Sequence, residues 1–249
     1  MNPIIEVCVD RLESVQVCAE YGVDRIELCA ALSEGGLTPS IAFLQAARAI
    51  FSGKIMMMIR PRCGDFLYSN EEIDMMRNDI RAAREHGADG VVFGCLLPTG
   101  EIDEAKTSQL QSAAGDSDVT FHRAFDVTRD QSRSLETLIS LGIPRVLTSG
   151  GEADVWKGIH RLRDLIQQAA GRITILPGGG VNVVRIRELL ETTHATEFHL
   201  SARHSIDSGM IFQRDDIPMG ASHISPEFVH KVTDPHQLQV LFSSLKSTL

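Results

Sequence analysis

Residues 4–30 read IIEVCVDRLESVQVCAEYGVDRIELCA, and this segment sets the architecture expected of the whole chain. Its two ends, residues 4–9 and 25–30, are apolar runs of strand length, and the segment between them has the spacing of an amphipathic helix. A strand, a helix and a second strand in this order predict a βαβ unit with parallel pairing. Both strands also carry Glu, one apolar residue and then Cys, so a carboxylate and a thiol recur at the same spacing.

The alternation of strands and helices continues along the chain. We expect eight strands, at residues 4–9, 25–30, 54–60, 90–94, 119–124, 145–149, 173–178 and 196–201. No G-x-G-x-x-G follows the first strand, so the pattern favours an α/β fold with a closed (β/α)8 TIM barrel over a doubly wound nucleotide-binding sheet. Because barrels of this length commonly form one domain, residues 1–249 are predicted to be a single TIM-barrel domain.

The loops and helix ends allow two further predictions. Thr38 followed by Pro39 predicts an N-cap and a first-turn proline for the second helix. After the eighth strand, residues 202–231 show no regular period, whereas residues 234–245 have the pattern of a capped final helix. We therefore expect a long loop after strand 8, of the kind that often serves as a lid, a binding loop or an oligomer arm, and a C-terminal helix.

The composition indicates a globular protein whose partners are small molecules or proteins. Hydrophobic residues make up 43% of the chain and charged residues 23%, which is typical of a folded soluble domain. The net charge of -9 and the dispersed Lys and Arg residues argue against nucleic-acid binding. The sequence lacks the pattern of a signal peptide and any apolar run of membrane-spanning length, so we expect no membrane partner and a cytoplasmic location.

The five cysteines form no C-x-x-C pair, and their odd number predicts neither a disulfide framework nor a zinc ribbon. Alternate residues of barrel strands face inward, so Glu6 should lie on the same face as Cys8, and Glu27 on the same face as Cys29. The two thiols could form a Cu(I) site, since soft thiolates select that ion. They could equally be apolar filler, because free cysteine is among the most buried residue types.

Polar residues near the strand ends form a candidate catalytic layer. Its members are Glu6, Glu27, Arg60, His122 and His199. Such a layer could place an acid with a raised pKa beside a base and so transfer protons near neutral pH. The same residues could also form an inert network of buried ion pairs, and the sequence leaves both alternatives open.

Candidate anion-binding residues follow the third, seventh and eighth strands. They are Arg62, Gly178, Gly179, Gly180, Ser201 and Arg203. Arg60 and Arg62 could clamp a carboxylate or phosphate, although a salt bridge from Asp65 to one of them is the alternative. The glycines open a helix after strand 7, where barrels commonly hold phosphate, but a flexible turn would give the same letters. Residues 147–151, LTSGG, could add a hydroxyl and further amides.

The chain resembles the CutC family along nearly its whole length. The matching segments are EVCVD, VDRIELCAALSEGGLTPS, MIRPRCGDFLYS, VTFHRAFD, RVLTSG, LPGGG and EFHLSAR, with Val23 where the family has Ala. The resemblance implies a cytoplasmic TIM-barrel homo-oligomer, a dimer or tetramer, that acts in copper homeostasis through Cu(I) binding. In that interpretation Cys8 and Cys29 match the copper-ligand positions. Cys63 departs from the family, which has Gly there, and is either strained or a third thiol near the rim.

Three hypotheses of function therefore stand at this stage. The first is Cu(I) binding in copper homeostasis. The second is an enzyme without a nucleotide cofactor that acts on a small phosphorylated or carboxylated metabolite, with Glu6 or Glu27 as acid/base and His122 as partner. The third is a catalytically silent scaffold. Fold alone does not choose among them, because TIM barrels host many chemistries.

Overall fold

Parallel strands form a barrel with helices around it. A computed structural model describes residues 3–214, 216–217 and 227–246. Within these residues the barrel strands are β1 Ile4–Val9, β2 Arg25–Leu28, β3 Lys54–Met58, β4 Gly90–Phe93, β5 Asp118–Phe121, β6 Arg145–Thr148, β7 Thr174–Pro177 and β8 Glu197–Leu200. They are hydrogen-bonded in the order β7-β6-β5-β4-β3-β2-β1-β8, and a parallel bridge from Gly178 to His199 joins the two ends. The predicted TIM barrel is confirmed.

The helices lie between the barrel strands and after the last one, as the alternation of strands and helices predicted. Those in the described residues are α1 Leu12–Glu20, α2 Ile41–Ile50, α3 Asn70–Glu85, α4 Glu104–Ala114, α5 Gln131–Ser140, α6 Ile159–Ala169, α7 Ile186–Thr193 and α8 Pro235–Lys246. The predicted N-cap of α2 is wrong, because the cap is Ser40, whose side chain accepts a hydrogen bond from the Phe43 amide. Thr38 is used elsewhere: its hydroxyl oxygen accepts a hydrogen bond from the Arg60 amide and ties the end of β3 to the β2 loop.

The connection after β8 begins and ends in strands that its irregular sequence did not predict. Strand β9, Arg203–Asp207, pairs antiparallel with β10, Val229–Thr233. Most of β9 is exposed, so it lacks the alternation of apolar and polar residues that marks a half-buried strand. Residues 215 and 218–226 of the predicted loop lie outside the described residues.

Alternate residues of the barrel strands face two different regions, the layer between strands and helices and the inside of the barrel. Ile5, Val7 and Val9 of β1 belong to the large apolar cluster that the surrounding helices complete. Glu6 and Cys8 lie on the opposite face of the same strand and so point into the barrel. The barrel interior also contains a small cluster made by Cys29, Met56, Met58 and Val92. The barrel interior therefore contains Glu6 and a small group of sulfur-containing side chains, while the large apolar cluster packs the strands against the helices.

No helix in the described part of the chain combines the length and the apolar character that crossing a bilayer requires.

Candidate functional site at the barrel mouth

A pocket of about 430 Å³ opens at the carboxyl ends of the strands. Many of the predicted site residues line it, namely Cys8, Glu27, Arg60, His122, Gly179, Gly180, His199, Ser201 and Arg203. The remaining ones, Glu6, Cys29, Arg62 and Gly178, do not line it. Residues from β1, β2, β3, β5, β7 and β8 and the loops that follow these strands thus share one cavity, as the barrel topology predicts.

His199 lies between the two carboxylates that the sequence singled out. Its Nδ1 is 2.7 Å from Glu6 Oε1, and its Nε2 is 3.9 Å from Glu27 Oε2. Burial alone would raise the pKa of Glu6, but the hydrogen bond from His199 and the charge of Arg25 lower it to about 2. An ionised carboxylate only accepts hydrogen bonds, so Nδ1 of His199 is the donor to Glu6.

Glu27 differs sharply from Glu6 in its environment. It is 3% exposed, and its Oε1 has no hydrogen-bond partner among the described residues. Burial, opposed by His199 and reinforced by the charge of Glu6, raises the pKa of Glu27. Burial lowers the pKa of His199, but the charges of Glu27 and Cys8 outweigh it, so that pKa is raised well above its usual range. Glu27 and His199 therefore compete for a proton beside the pocket.

A chain of buried ion pairs beneath the pocket was missed by the sequence analysis. Arg25 contacts Glu6 and is 2.5 Å from Glu197 Oε2. Arg145 is 2.8 Å from Glu197 Oε2 and 3.0 Å from Asp118 Oδ2. The period of two that places Glu27 inward also places Arg25 inward, so this signal was available in the sequence. These buried ion pairs explain how Glu6 stays ionised without solvent.

His122 forms part of the opposite wall and has a different electrostatic state. Its Nδ1 accepts a hydrogen bond of 3.2 Å from the Ala124 amide, which leaves the proton of the neutral ring on Nε2. Burial and the charge of Arg60 lower the pKa of His122 to about 3, so the ring is neutral at neutral pH. Within the described chain His122 Nε2 has no hydrogen-bond partner, although it is buried. The ring is thus a neutral donor beside the cavity.

The two predicted arginines of the β3 loop have separate roles. Arg60 donates hydrogen bonds to the carbonyl oxygens of Glu34 and Gly64, at 2.8 and 3.0 Å. Arg62 lies outside the pocket and pairs with Glu72 at 2.6 Å and with Asp65 at 3.1 Å. The predicted clamp made by both guanidiniums is therefore not formed; the alternative of a salt bridge to Asp65 is what the structure contains.

The glycine loop after β7 borders the pocket through two of its three residues. Gly179 and Gly180 have φ angles of +105° and +71°, which other residues rarely adopt. A Cβ at Gly179 would lie 3.1 Å from the Arg123 guanidinium, so a larger residue there would require that guanidinium to shift by a few tenths of an ångström. Gly178 is committed to the barrel, since its amide donates to the Thr148 carbonyl at 2.9 Å.

The loop after β6 already binds a carboxylate of the protein itself, which comes from the short 3-10 helix after β5. Asp126, which the sequence analysis missed, accepts hydrogen bonds from the hydroxyls of Thr148 and Ser149. Its carboxylate also accepts from the amides of Ser149 and Gly151, each at 3.0 Å. The hydroxyls and amides predicted to bind a ligand at residues 147–151 are therefore satisfied internally. Asp126 lies in the segment VTFHRAFD, which carries part of the family resemblance, but nothing in the sequence identifies its hydrogen-bond partners.

The cysteines occupy unlike environments. Cys8 lines the pocket, whereas Cys29 is fully buried behind it and donates a hydrogen bond of 3.4 Å from Sγ to Glu27 Oε2. Burial and the charge of Glu27 raise the pKa of Cys29 well above its usual range. Cys63 is exposed and lies away from the pocket. Its φ is not in the left-handed region, so the strain considered for a residue replacing glycine does not arise.

Comparison with known proteins agrees with the resemblance seen in the sequence. A copper homeostasis protein cutC homolog from Homo sapiens is 46% identical over 246 residues, covering 99% of this chain and 90% of the human protein. A CutC family protein from Bacteroides fragilis is 46% identical over 250 residues, covering 100% and 99% of the two chains.

Solved structures support the same assignment. The crystal structure of a copper homeostasis protein CutC from Streptococcus agalactiae superposes with a TM-score of 0.76 at 31% identity, covering 80% of this chain and 98% of that one. An aldolase named QR15 superposes with a TM-score of 0.62 at 13% identity, over 80% of this chain and 90% of its own, which indicates a shared fold only. A sequence profile of the CutC family matches residues 3–204. The chain belongs to the CutC family.

Proposed function

We propose that this protein acts in copper homeostasis by binding Cu(I) through the thiols of Cys8 and Cys29, and that it does so in the cytoplasm. One observation carries the proposal: both thiols lie near the same carboxylate, one in hydrogen-bond contact with it and the other within 4.8 Å. Cys29 Sγ is 3.4 Å from Glu27 Oε2, and Cys8 Sγ is within 4.8 Å of a Glu27 oxygen. Soft thiolates are the ligands that select Cu(I). The relatives named for copper homeostasis support the same role.

The surroundings of the thiols favour a soft ion. Met56 and Met58 pack with Cys29 in the small interior cluster, and Met58 also lines the pocket. All five cysteines are free, as a reducing compartment requires. Because Cys29 is protonated at neutral pH, Cu(I) must displace that proton, and the apparent affinity should therefore rise with pH.

The test is a Cu(I) titration under anaerobic, reducing conditions, in competition with a coloured Cu(I) chelator. We expect Cys8→Ser and Cys29→Ser each to lower the affinity at least about 100-fold, since even changes behind a ligand cost roughly 10–100-fold. Cys63→Ser is the matched control, because that thiol is exposed and away from the pocket. Stoichiometric Cu(I) binding at unchanged affinity in the Cys8→Ser, Cys29→Ser double variant would reject these ligands.

A second candidate function is catalysis on a small phosphorylated or carboxylated metabolite. The observation that favours it is the unpartnered Nε2 of His122, a buried hydrogen-bond donor beside a cavity large enough for a small molecule. Ser201 and Arg203 line the same cavity and supply a hydroxyl and a positive charge. In this candidate Glu27 is the acid/base group, since Glu6 is removed from the cavity and held ionised by its partners.

Inorganic phosphate and small carboxylates can test this candidate through thermal unfolding. We expect them to raise the melting temperature of the wild type and to lose most of that effect in Arg203→Gln. Arg62→Gln is the control, because this arginine lies outside the pocket and should keep the full ligand-induced shift. Each variant is compared with its own ligand-free baseline. Equal shifts in both variants would place anion binding elsewhere and count against the candidate.

A further inference from the structure

Three unlike ligand atoms converge at the base of the pocket. One sulfur of Cys8, one carboxylate oxygen of Glu27 and one imidazole nitrogen of His199 all lie within 4.8 Å of one another, and all three residues are buried. In the part of the chain that the structure describes, no other group of three such residues has this geometry. The three residues come from β1, β2 and β8, which are neighbours in the barrel, so the backbone fixes their spacing.

Unsatisfied bonding capacity at this point indicates that a ligand is accommodated there. Glu27 is 3% exposed, yet its Oε1 has no hydrogen-bond partner among the residues described. A buried carboxylate oxygen without a partner is costly unless a cation or a donor approaches it. Glu27 lines the pocket, so the mouth of the barrel is the route by which a cation would approach its carboxylate.

Glu6 prepares His199 for coordination. The hydrogen bond from His199 Nδ1 to Glu6 fixes the ring and leaves Nε2 directed toward Glu27, 3.9 Å away. Histidines that bind metals in proteins usually donate their other ring N–H to a carboxylate or a carbonyl in this way. Glu6 is itself held by Arg25, so the orientation of the ring is supported by the buried ion pairs below.

The donor set differs from the one that Cu(I) prefers. Thiolate, carboxylate and imidazole together suit a borderline divalent ion such as Zn²⁺, which binds all three with bonds of about 2.0–2.3 Å. A tetrahedral ion with such bonds separates its ligand atoms by about 3.3–3.8 Å, so small side-chain rotations would complete the site. Three protein ligands leave one coordination position open, and all three residues line the pocket.

We propose that Cys8, Glu27 and His199 form a binding site for a divalent first-row transition ion of the Zn²⁺ class, with its open position directed into the mouth pocket. The site goes beyond the Cu(I) proposal, since it requires Glu27 and His199 and does not require Cys29. Its fourth ligand is water or an oxygen of a small molecule in the pocket. The two metals would share Cys8 and would therefore exclude each other.

Cobalt provides the direct test, because Co²⁺ takes zinc sites and a thiolate ligand gives it a charge-transfer absorption band. We expect metal-free wild type to bind one Co²⁺ with that band and with the d–d intensity of a tetrahedral site. Excess Zn²⁺ should remove both signals. Absence of the thiolate band in the wild type overturns the proposal without any variant, so the test does not depend on a substituted protein folding.

Variants then separate the two metals. Glu27→Gln should weaken Zn²⁺ binding roughly 100-fold while leaving Cu(I) affinity near that of wild type, and Cys29→Ser should do the reverse. Cys8→Ser should weaken both. If Cys29→Ser weakens Zn²⁺ as much as Cu(I), a thiol pair binds both ions and the three-residue site is wrong. If Glu27→Gln leaves Zn²⁺ affinity unchanged, the site is wrong as well. If the wild type binds Zn²⁺ but does not bind Cu(I), only the Cu(I) proposal is rejected.

Discussion

Two buried histidines face the same pocket in opposite electrostatic states. His199 is hydrogen-bonded to Glu6 and lies near Glu27, so its pKa is raised, whereas His122 lies near Arg60 and its pKa is lowered to about 3. Burial lowers the pKa in both cases, and the sign of the neighbouring charge decides the outcome. The comparison shows that burial in this barrel does not by itself determine the protonation state of a histidine. One wall of the pocket suits cations, and the other offers neutral or positive donors.

The largest effect should come from removing the anion that distinguishes His199 from His122. Glu6→Gln keeps the shape of the side chain but leaves Arg25 and His199 without their shared carboxylate. Removing one partner from a buried ion pair costs about 3–5 kcal/mol, so we expect a loss of that size in the free energy of unfolding at pH 7. Urea denaturation measures it.

The control for Glu6 is an ion pair on the surface. Glu136→Gln breaks the pair with Arg172, 2.8 Å apart and about half exposed, and it should leave the unfolding midpoint close to that of wild type. A Glu6→Gln protein as stable as the Glu136→Gln protein would show that the buried carboxylate does not support His199.

The pH dependence of stability should separate the two rings next. Between about pH 6.5 and pH 3 the unfolded chain binds a proton at His122 that the folded chain does not, so folded stability falls as the pH falls. The linkage amounts to about 3 kcal/mol between pH 7 and pH 4. His122→Gln should remove this part of the acid loss, and urea denaturation at several pH values below 7 checks it. Parallel acid curves for wild type and variant would contradict the low pKa.

The pH dependence of stability that His199 contributes has the opposite sign to that of His122. Its folded pKa is raised, so its stabilising contribution is present in full below about pH 6.5 and is lost as the pH rises through the folded value. The difference in stability between wild type and His199→Gln should therefore shrink on the alkaline side and not on the acid side. The comparison requires metal-free protein, because a bound ion would also hold the ring.

Substitution of two glycines should displace the two histidine rings separately, with a smaller loss of stability than in Glu6→Gln. A Cβ at Gly94 would lie 2.6 Å from His122 Nδ1, and a Cβ at Gly178 would lie 2.4 Å from Leu147 Cδ1 and 3.0 Å from His199 Cβ. Overpacking of this kind costs about 1–3 kcal/mol, so Gly94→Ala and Gly178→Ala should each destabilise the fold by that amount. Imidazole NMR resonances should shift for His122 in the first variant and for His199 in the second.

Gly209→Ala is the matched control for these substitutions. Among the residues that the structure describes, no atom lies within 4 Å of a Cβ at Gly209, and the backbone there is not left-handed. This variant should leave both histidine resonances and the stability unchanged. Equal disturbance of both rings by Gly94→Ala and Gly178→Ala would mean that the two walls are mechanically coupled and not independent.

The sequence predicted the barrel well because strand and helix periods are local properties. The period of two correctly paired Glu6 with Cys8 and Glu27 with Cys29, and the barrel rule correctly gathered His122 and His199 at one mouth. It could not give the partners of each charge, because these depend on the register between strands. Glu197 is an example, since it lies beside Arg25 although 172 positions separate them.

The roles of the loop residues could not be predicted, because the amino-acid sequences of these loops are compatible with several structures. Asp126 satisfies the amides predicted to bind a ligand after β6, and Arg62 is taken by Glu72 and Asp65. Both outcomes follow from hydrogen bonds and ion pairs within the protein that occupy the groups a ligand would need. The hairpin of β9 and β10 was missed because exposed strands need no apolar alternation.

The buried ion pairs also constrain the order in which the molecule can assemble. Arg25 and Arg145 both require Glu197 on the last barrel strand, so neither is neutralised by it until that strand docks. A seven-stranded intermediate would hold two incompletely compensated guanidiniums in its interior, and desolvating them would be unfavourable. Closing the ring should therefore be cooperative, with the first and last parts of the chain locking together in one step rather than strand by strand.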